Sequence, residues 1–77
     1  MIMNKTYKRL SKRRIKQVIK KYSEASTFFV EGLKKDHFGE LMRNGTYVLE
    51  RDELLRFISK NNRFSIQTHG VTIYHYV

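Results

Sequence analysis

No acidic residue precedes Glu24, yet the first 21 positions hold nine cations: Lys5, Lys8, Arg9, Lys12, Arg13, Arg14, Lys16, Lys20 and Lys21. From Glu24 onward seven basic residues balance seven acids, so the whole formal net charge of +9 resides in the N-terminal segment. Like charges spaced i,i+4 on a helix repel by a few tenths of a kcal/mol per pair. A helix there persists only if its apolar side docks or a polyanion neutralises its basic side. The segment supplies both sides. At 100° per residue, Tyr7, Ser11, Ile15, Val18, Ile19 and Tyr22 fall in one arc of about 120°. Lys5, Arg9, Lys12, Arg13, Lys16 and Lys20 gather in an opposite arc of about 100°. Arg14 and Lys21 flank the apolar stripe, where long side chains reach water, and Leu10 lies off it. The pattern predicts a basic amphipathic helix over residues 7–22, docked through Ile15, Val18 and Ile19.

The remainder offers a small core. Seventy-seven residues make a single domain, 1–77, and residues 1–6 read as a flexible basic start. A chain of this size buries only about 60% of its unfolded surface, and its stability is on the order of 3–5 kcal/mol unless it self-associates. A homo-oligomer is compatible with that. With 40% apolar and 13% aromatic residues, the chain is too rich to stay unfolded. Without proline, low-complexity tracts, repeats or Gly/Ser linkers, it reads as one continuous unit.

Ser23 to Lys35 is ambiguous between a short buried strand at Phe28-Phe29-Val30, ended by Gly32, and a helix capped by Ser26 or Thr27. Asp36 suits the N-cap of a short helix from His37 to Arg43, burying Phe38, Leu41 and Met42 and ended by Asn44-Gly45. Thr46 to Leu49 reads as a strand. Glu50 to Asn61 reads as a second helix, with Glu50, Asp52 and Glu53 at its start and Arg56 and Lys60 toward its end, as the helix dipole favours. Residues 63–67 and 71–77 alternate with period two around Thr68-His69-Gly70, a β-hairpin pattern.

The predicted fold class is therefore α+β: a basic N-terminal helix, one or two further helices, and a small antiparallel sheet ending in a C-terminal hairpin. The alternative is a winged helix-turn-helix. Asn44 to Ile58, about a fifth of the chain, resembles the wing and last helix of excisionase-like DNA-binding domains, which would imply DNA binding. No recognition helix of that family is evident upstream.

The basic arc is the leading candidate site. Solvated helix faces usually mix signs, whereas nine positives without an acid raise self-repulsion that solubility does not require. Lys5, Lys8, Arg9, Lys12, Arg13, Lys16, Lys20 and Lys21 are the candidate nucleic-acid-binding residues. Lysine supplies attraction without the bidentate fork that reads guanine, which favours backbone contact over base readout. Arg43, Arg56, Lys60 and Arg63 form a separate alternative set. Tyr74 and Tyr76 share one face of the last strand with Thr72 and are candidate stacking residues for unpaired bases. The competing structural reading packs them against the first helix.

Catalytic and metal-binding classes find little support. The chain has no cysteine, which excludes disulfides and Cys-ligated zinc. His37, His69 and His75 lack metal-ligand spacing, and no phosphate-binding glycine loop, nucleophile elbow or carboxylate pair is present. No metal or cofactor is expected. No apolar run approaches the ~18 residues of a membrane span. The segment shares with transit peptides a basic amphipathic character, but it is mostly lysine and leads straight into the domain. The sequence thus predicts a cytoplasmic, non-catalytic protein that binds nucleic acid, RNA slightly ahead of DNA, through its basic helix. The rival is an inhibitor or antitoxin-like factor of the phage or mobile-element kind, whose basic helix docks on an acidic groove of a partner protein.

Overall fold

The computed structural model describes residues 6–68 and 70–77. Its elements run β1 (Thr6–Arg9), α1 (Lys12–Ile19), β2 (Thr27–Lys35), β3 (Leu41–Glu50), α2 (Arg51–Lys60), β4 (Phe64–Thr68) and β5 (Val71–His75). The five strands form one sheet in the order β1-β5-β4-β2-β3. Four strands pair antiparallel, and β1 joins the edge parallel to β5, with Thr6 opposite Val71 and Arg9 opposite Tyr74. The molecule is α+β, with a C-terminal hairpin as the period-two pattern implied.

Period-two alternation sorts each strand into two faces. Phe28 and Val30 of β2, Phe64 and Ile66 of β4, and Ile73 of β5 meet Ile15 and Ile19 of α1 and Leu54 and Ile58 of α2 in one buried core. Both helices therefore cover the same face. Phe29, Glu31, Ser65, Gln67, Thr72 and Tyr74 point to the other, which no element covers among the described residues. The result is a two-layer plate, 39 × 37 × 21 Å.

The first helix is shorter than its periodicity predicted. Ser11 caps α1, its hydroxyl accepting from the Arg14 amide at 3.2 Å, and residues 6–9 leave the helix to become β1. Tyr7 and Arg9 therefore do not belong to the helical arcs, and Lys8 sits at a strand position opposite Ile73. Edge pairing with β5 outcompetes helix formation where the charges repel. Leu10 is explained by the same corner: its amide donates to the Tyr74 carbonyl at 2.9 Å, its carbonyl lies 2.8 Å from His75 Nδ1, and its side chain packs against the core. Lys5 and most of the expected flexible start fall outside the described residues, as does His69, whereas Thr6 begins β1.

The predicted helix from His37 to Arg43 is also overturned. Asp36 caps a hairpin turn: Oδ1 accepts from the amides of Phe38 at 2.8 Å and Glu40 at 2.9 Å, and Gly39 takes φ 80°. Lys34 and Lys35 then pair with Met42 and Leu41. The i,i+3,i+4 spacing of Phe38, Leu41 and Met42 imitates a buried helical stripe, yet all three are exposed, Phe38 at 87%. A bulge interrupts β3, where Asn44 and Gly45 oppose Gly32. Gly45 has φ 100°, and a Cβ on Gly32 would stand 2.5 Å from the Asn44 carbonyl oxygen. Two helices and a five-stranded sheet also exclude the winged helix-turn-helix among the described residues, since that fold needs three helices. The segment likened to an excisionase wing is instead the outer strand β3 running into α2.

Candidate nucleic-acid interface

The two helices lie antiparallel. Lys12 at the start of α1 reaches the carbonyl of Ser59 near the end of α2 (Nζ to O, 3.5 Å), while Arg51 at the start of α2 donates to the carbonyl of Tyr22, beyond the end of α1 (3.0 Å). Ile15 and Ile19 face the core, so the i,i+4 series Lys12, Lys16 and Lys20 rises along the flank next to α2. On α2, Leu54 and Ile58 face the core, which turns Arg56 and Lys60 outward along the same seam.

Lys16, Lys20, Leu55, Arg56, Ser59 and Lys60 line a shallow groove of about 300 Å³ between the helices, and Lys12 extends it at one end. Among these described lining residues none is acidic. The acids Asp52 and Glu53 stand in the first turn of α2, where Glu53 accepts from the Glu50 amide at 2.9 Å. Glu24 and Asp52 contact Arg51 at 3.4 and 3.2 Å, at the end of the helix pair where α1 terminates and α2 begins. The acids therefore stand beyond the Lys20 end of the groove, outside its lining. Phosphates spaced along a backbone could bridge the facing lysine and arginine rows, since an ammonium binds them as a point charge from any direction.

The predicted site residues divide. Lys12, Lys16 and Lys20 stand together in the groove, with Arg13 and Lys21 exposed nearby on α1 and the following turn. Arg9 lies on the opposite side of the plate, its guanidinium 4.4 Å from the Tyr76 ring centroid and its Nη2 donating to the Tyr76 carbonyl at 2.7 Å. Lys8 is in β1, and Lys5 is outside the described residues. Arg56 and Lys60, a separate set by sequence, join the lysines of α1. Their i,i+4 spacing on the polar side of α2 was the available signal. Which helix would lie beside them was not.

Tyr74 and Tyr76 are half-buried and line a groove on the open sheet face, so the expectation that they pack against α1 is overturned. His75 points the other way, stacked on Phe64 with ring centroids 5.5 Å apart, which gives it a structural role. Among the described residues no three His, Asp or Glu side chains converge as a metal site would require. No described helix is long and apolar enough to cross a membrane. Compared with protein-family models, curated proteins and solved structures, the chain shows no match.

Proposed function

We propose that this is a non-catalytic, cytoplasmic nucleic-acid-binding protein, RNA ahead of DNA, that holds the phosphate backbone in the groove between α1 and α2. The observation that carries this reading is the facing of Lys12, Lys16 and Lys20 with Arg56 and Lys60 across a groove lined by no acid. Five cations from two elements converge there, although their mutual repulsion opposes folding. A polyanion relieves that repulsion. Lysine predominates, so affinity should depend little on base sequence.

The test is a titration of duplex RNA, duplex DNA and homopolymer RNA at about 50 and then 200 mM salt. Five phosphate contacts give a log–log salt slope of about −4 to −5 on a duplex. Replacing Lys12, Lys16, Lys20, Arg56 and Lys60 together by Gln should remove most of that slope and leave the fold intact. Failure of the folded wild type to bind any of the three, or an unchanged slope in the variant, overturns the reading.

A second reading draws on Leu55, a half-buried apolar side chain lining the same groove. It would anchor an acidic partner protein, as an inhibitor or antitoxin-like factor requires. Such a complex should survive roughly half-molar salt, because apolar anchoring does not depend on counterion release.

A further inference from the structure

The open face of the sheet is a second concavity, unlike the first in lining and unused by the helix-face reading. Its groove, about 900 Å³, is walled by the β2–β3 hairpin through Leu33, Leu41 and Arg43 and floored by β4 and β5. Two cross-strand rows make the floor: Glu31, Ser65 and Tyr74 in register with Arg9, and Phe29, Gln67 and Thr72 in register with one another. Phe29 and Tyr74 therefore share these rows with hydroxyl and amide groups, and Tyr76 lines the groove just beyond the end of β5.

Guanidiniums stand on both flanks of this floor. Arg9 comes from edge strand β1 and lies over the Tyr76 ring, and Arg43 comes from edge strand β3 with its side chain 81% exposed. The acid in the groove, Glu31, is paired to Arg43 at 3.3 Å. A lipid or an apolar helix would cover the exposed amide of Gln67 and the half-buried hydroxyl of Thr72 without offering either a partner. Unpaired nucleotides match the lining on all counts. Bases stack on tyrosine rings and on the outer plane of a guanidinium, base edges and ribose 2′-hydroxyls pair with hydroxyls and amides, and phosphates meet the flanking arginines.

We infer that this groove is a binding site for single-stranded RNA, on the order of two or three nucleotides long, formed by Tyr74, Tyr76 and Phe29 as stacking surfaces with Arg9 and Arg43 at its flanks. The inference deepens the nucleic-acid reading and rests on it, but it concerns the opposite face of the plate. It gives the protein two surfaces for one ligand class: the helix layer for the phosphate backbone of a duplex and the sheet for an unpaired segment.

The experiment uses the full chain and fluorescein-labelled eight-nucleotide single-stranded RNA, single-stranded DNA of the same sequence, and duplex RNA, each at about 150 mM salt. Tyr74→Leu and Tyr76→Leu keep apolar bulk and remove the stacking ring, and Tyr76→Phe keeps the ring. Each Leu variant should lose roughly 5- to 100-fold in affinity for the RNA single strand, and Tyr76→Phe should restore near wild-type binding. Duplex affinity should stay unchanged in all of them. The protein has five tyrosines and no tryptophan, so quenching of its intrinsic fluorescence by the unlabelled single strand reports stacking directly. Quenching should persist in the variant with five groove cations changed to Gln.

Leu variants that bind the RNA single strand as wild type does, with circular dichroism confirming the fold, overturn the inference and leave the helix-face reading standing. Equal affinity for the DNA oligonucleotide overturns the assignment to RNA. A wild type that ignores single strands but self-associates through the tyrosines overturns it in favour of a second copy as occupant. Loss of duplex binding in the five-cation variant, by contrast, bears only on the helix face.

Discussion

Arg51 Nη1 donates to the backbone carbonyl of Tyr22 at 3.0 Å, which ties the turn leaving α1 to the first residue of α2. The same guanidinium touches Glu24 and Asp52, but those carboxylates are largely exposed, and exposed pairs contribute about 0–1 kcal/mol. The carbonyl contact is part-buried and charge-assisted. Arg51→Ala should therefore destabilise the domain by about 1–2 kcal/mol in urea unfolding, while Glu24→Gln should stay within about 0.5 kcal/mol of wild type. Equal losses in the two variants would place the stabilisation in the ion pair instead.

The docking stripe of α1 is unequal. Ile15 and Ile19 are fully buried, whereas Val18 is half-buried. Ile19→Ala should cost about 2–4 kcal/mol, a large share of the stability of so small a domain, and Val18→Ala about 1 kcal/mol or less. Ile19→Asp should abolish cooperative thermal unfolding, because it buries an unpaired carboxylate. A melting temperature unchanged by Ile19→Asp would mean that α1 is undocked in solution.

The β2–β3 hairpin depends on two glycines for different reasons. Gly32→Ala forces a Cβ against the Asn44 carbonyl, a backbone atom that cannot swing aside, and should cost about 2 kcal/mol or more. Gly39→Ala adds a side chain in open space and carries only the left-handed backbone penalty, about 1 kcal/mol. Denaturant midpoints of the two variants should rank in that order.

Charge crowding on the helix layer should be visible without any ligand. Wild-type stability should rise with sodium chloride between about 0.05 and 0.5 M as screening weakens the repulsion among Lys12, Lys16, Lys20, Arg56 and Lys60. The variant with all five changed to Gln should start from a higher melting temperature and respond less to salt. An identical salt response in both proteins would show that the groove cations are too far apart, or too well solvated, to oppose folding.

Local patterns carried much of the fold. The Glu50–Asn61 reading lies within a residue at each end of α2, the terminal hairpin is where alternation put it, and the β-branched and aromatic Thr46–Leu49 lies inside the longer strand β3. The failures share a cause. Residues 6–9 are a strand because they pair with β5 at the far end of the chain, and no window around Tyr7 contains that partner. Phe38, Leu41 and Met42 have helical spacing, but the Asp36 turn projects them into solvent, where spacing no longer reports burial. For the site, the lysine series 12, 16, 20 was legible on one helix. Its union with Arg56 and Lys60 depended on how α1 crosses α2, and the departure of Arg9 to the sheet on the pairing of β1 with β5.

The parallel pairing of β1 with β5 also bears on how the molecule is made. Synthesis delivers β1 and the cations of α1 first and β5 last, so β1 has no partner strand until translation of the segment is nearly complete. Ile15 and Ile19 emerge before Phe64, Ile66 and Ile73, the residues that complete the surface beneath them. Until those arrive, only Phe28, Val30, Leu54 and Ile58 of the core are available to Ile15 and Ile19. Folding is therefore a late event governed by contacts between distant parts of the chain, slower than the short helices alone would suggest.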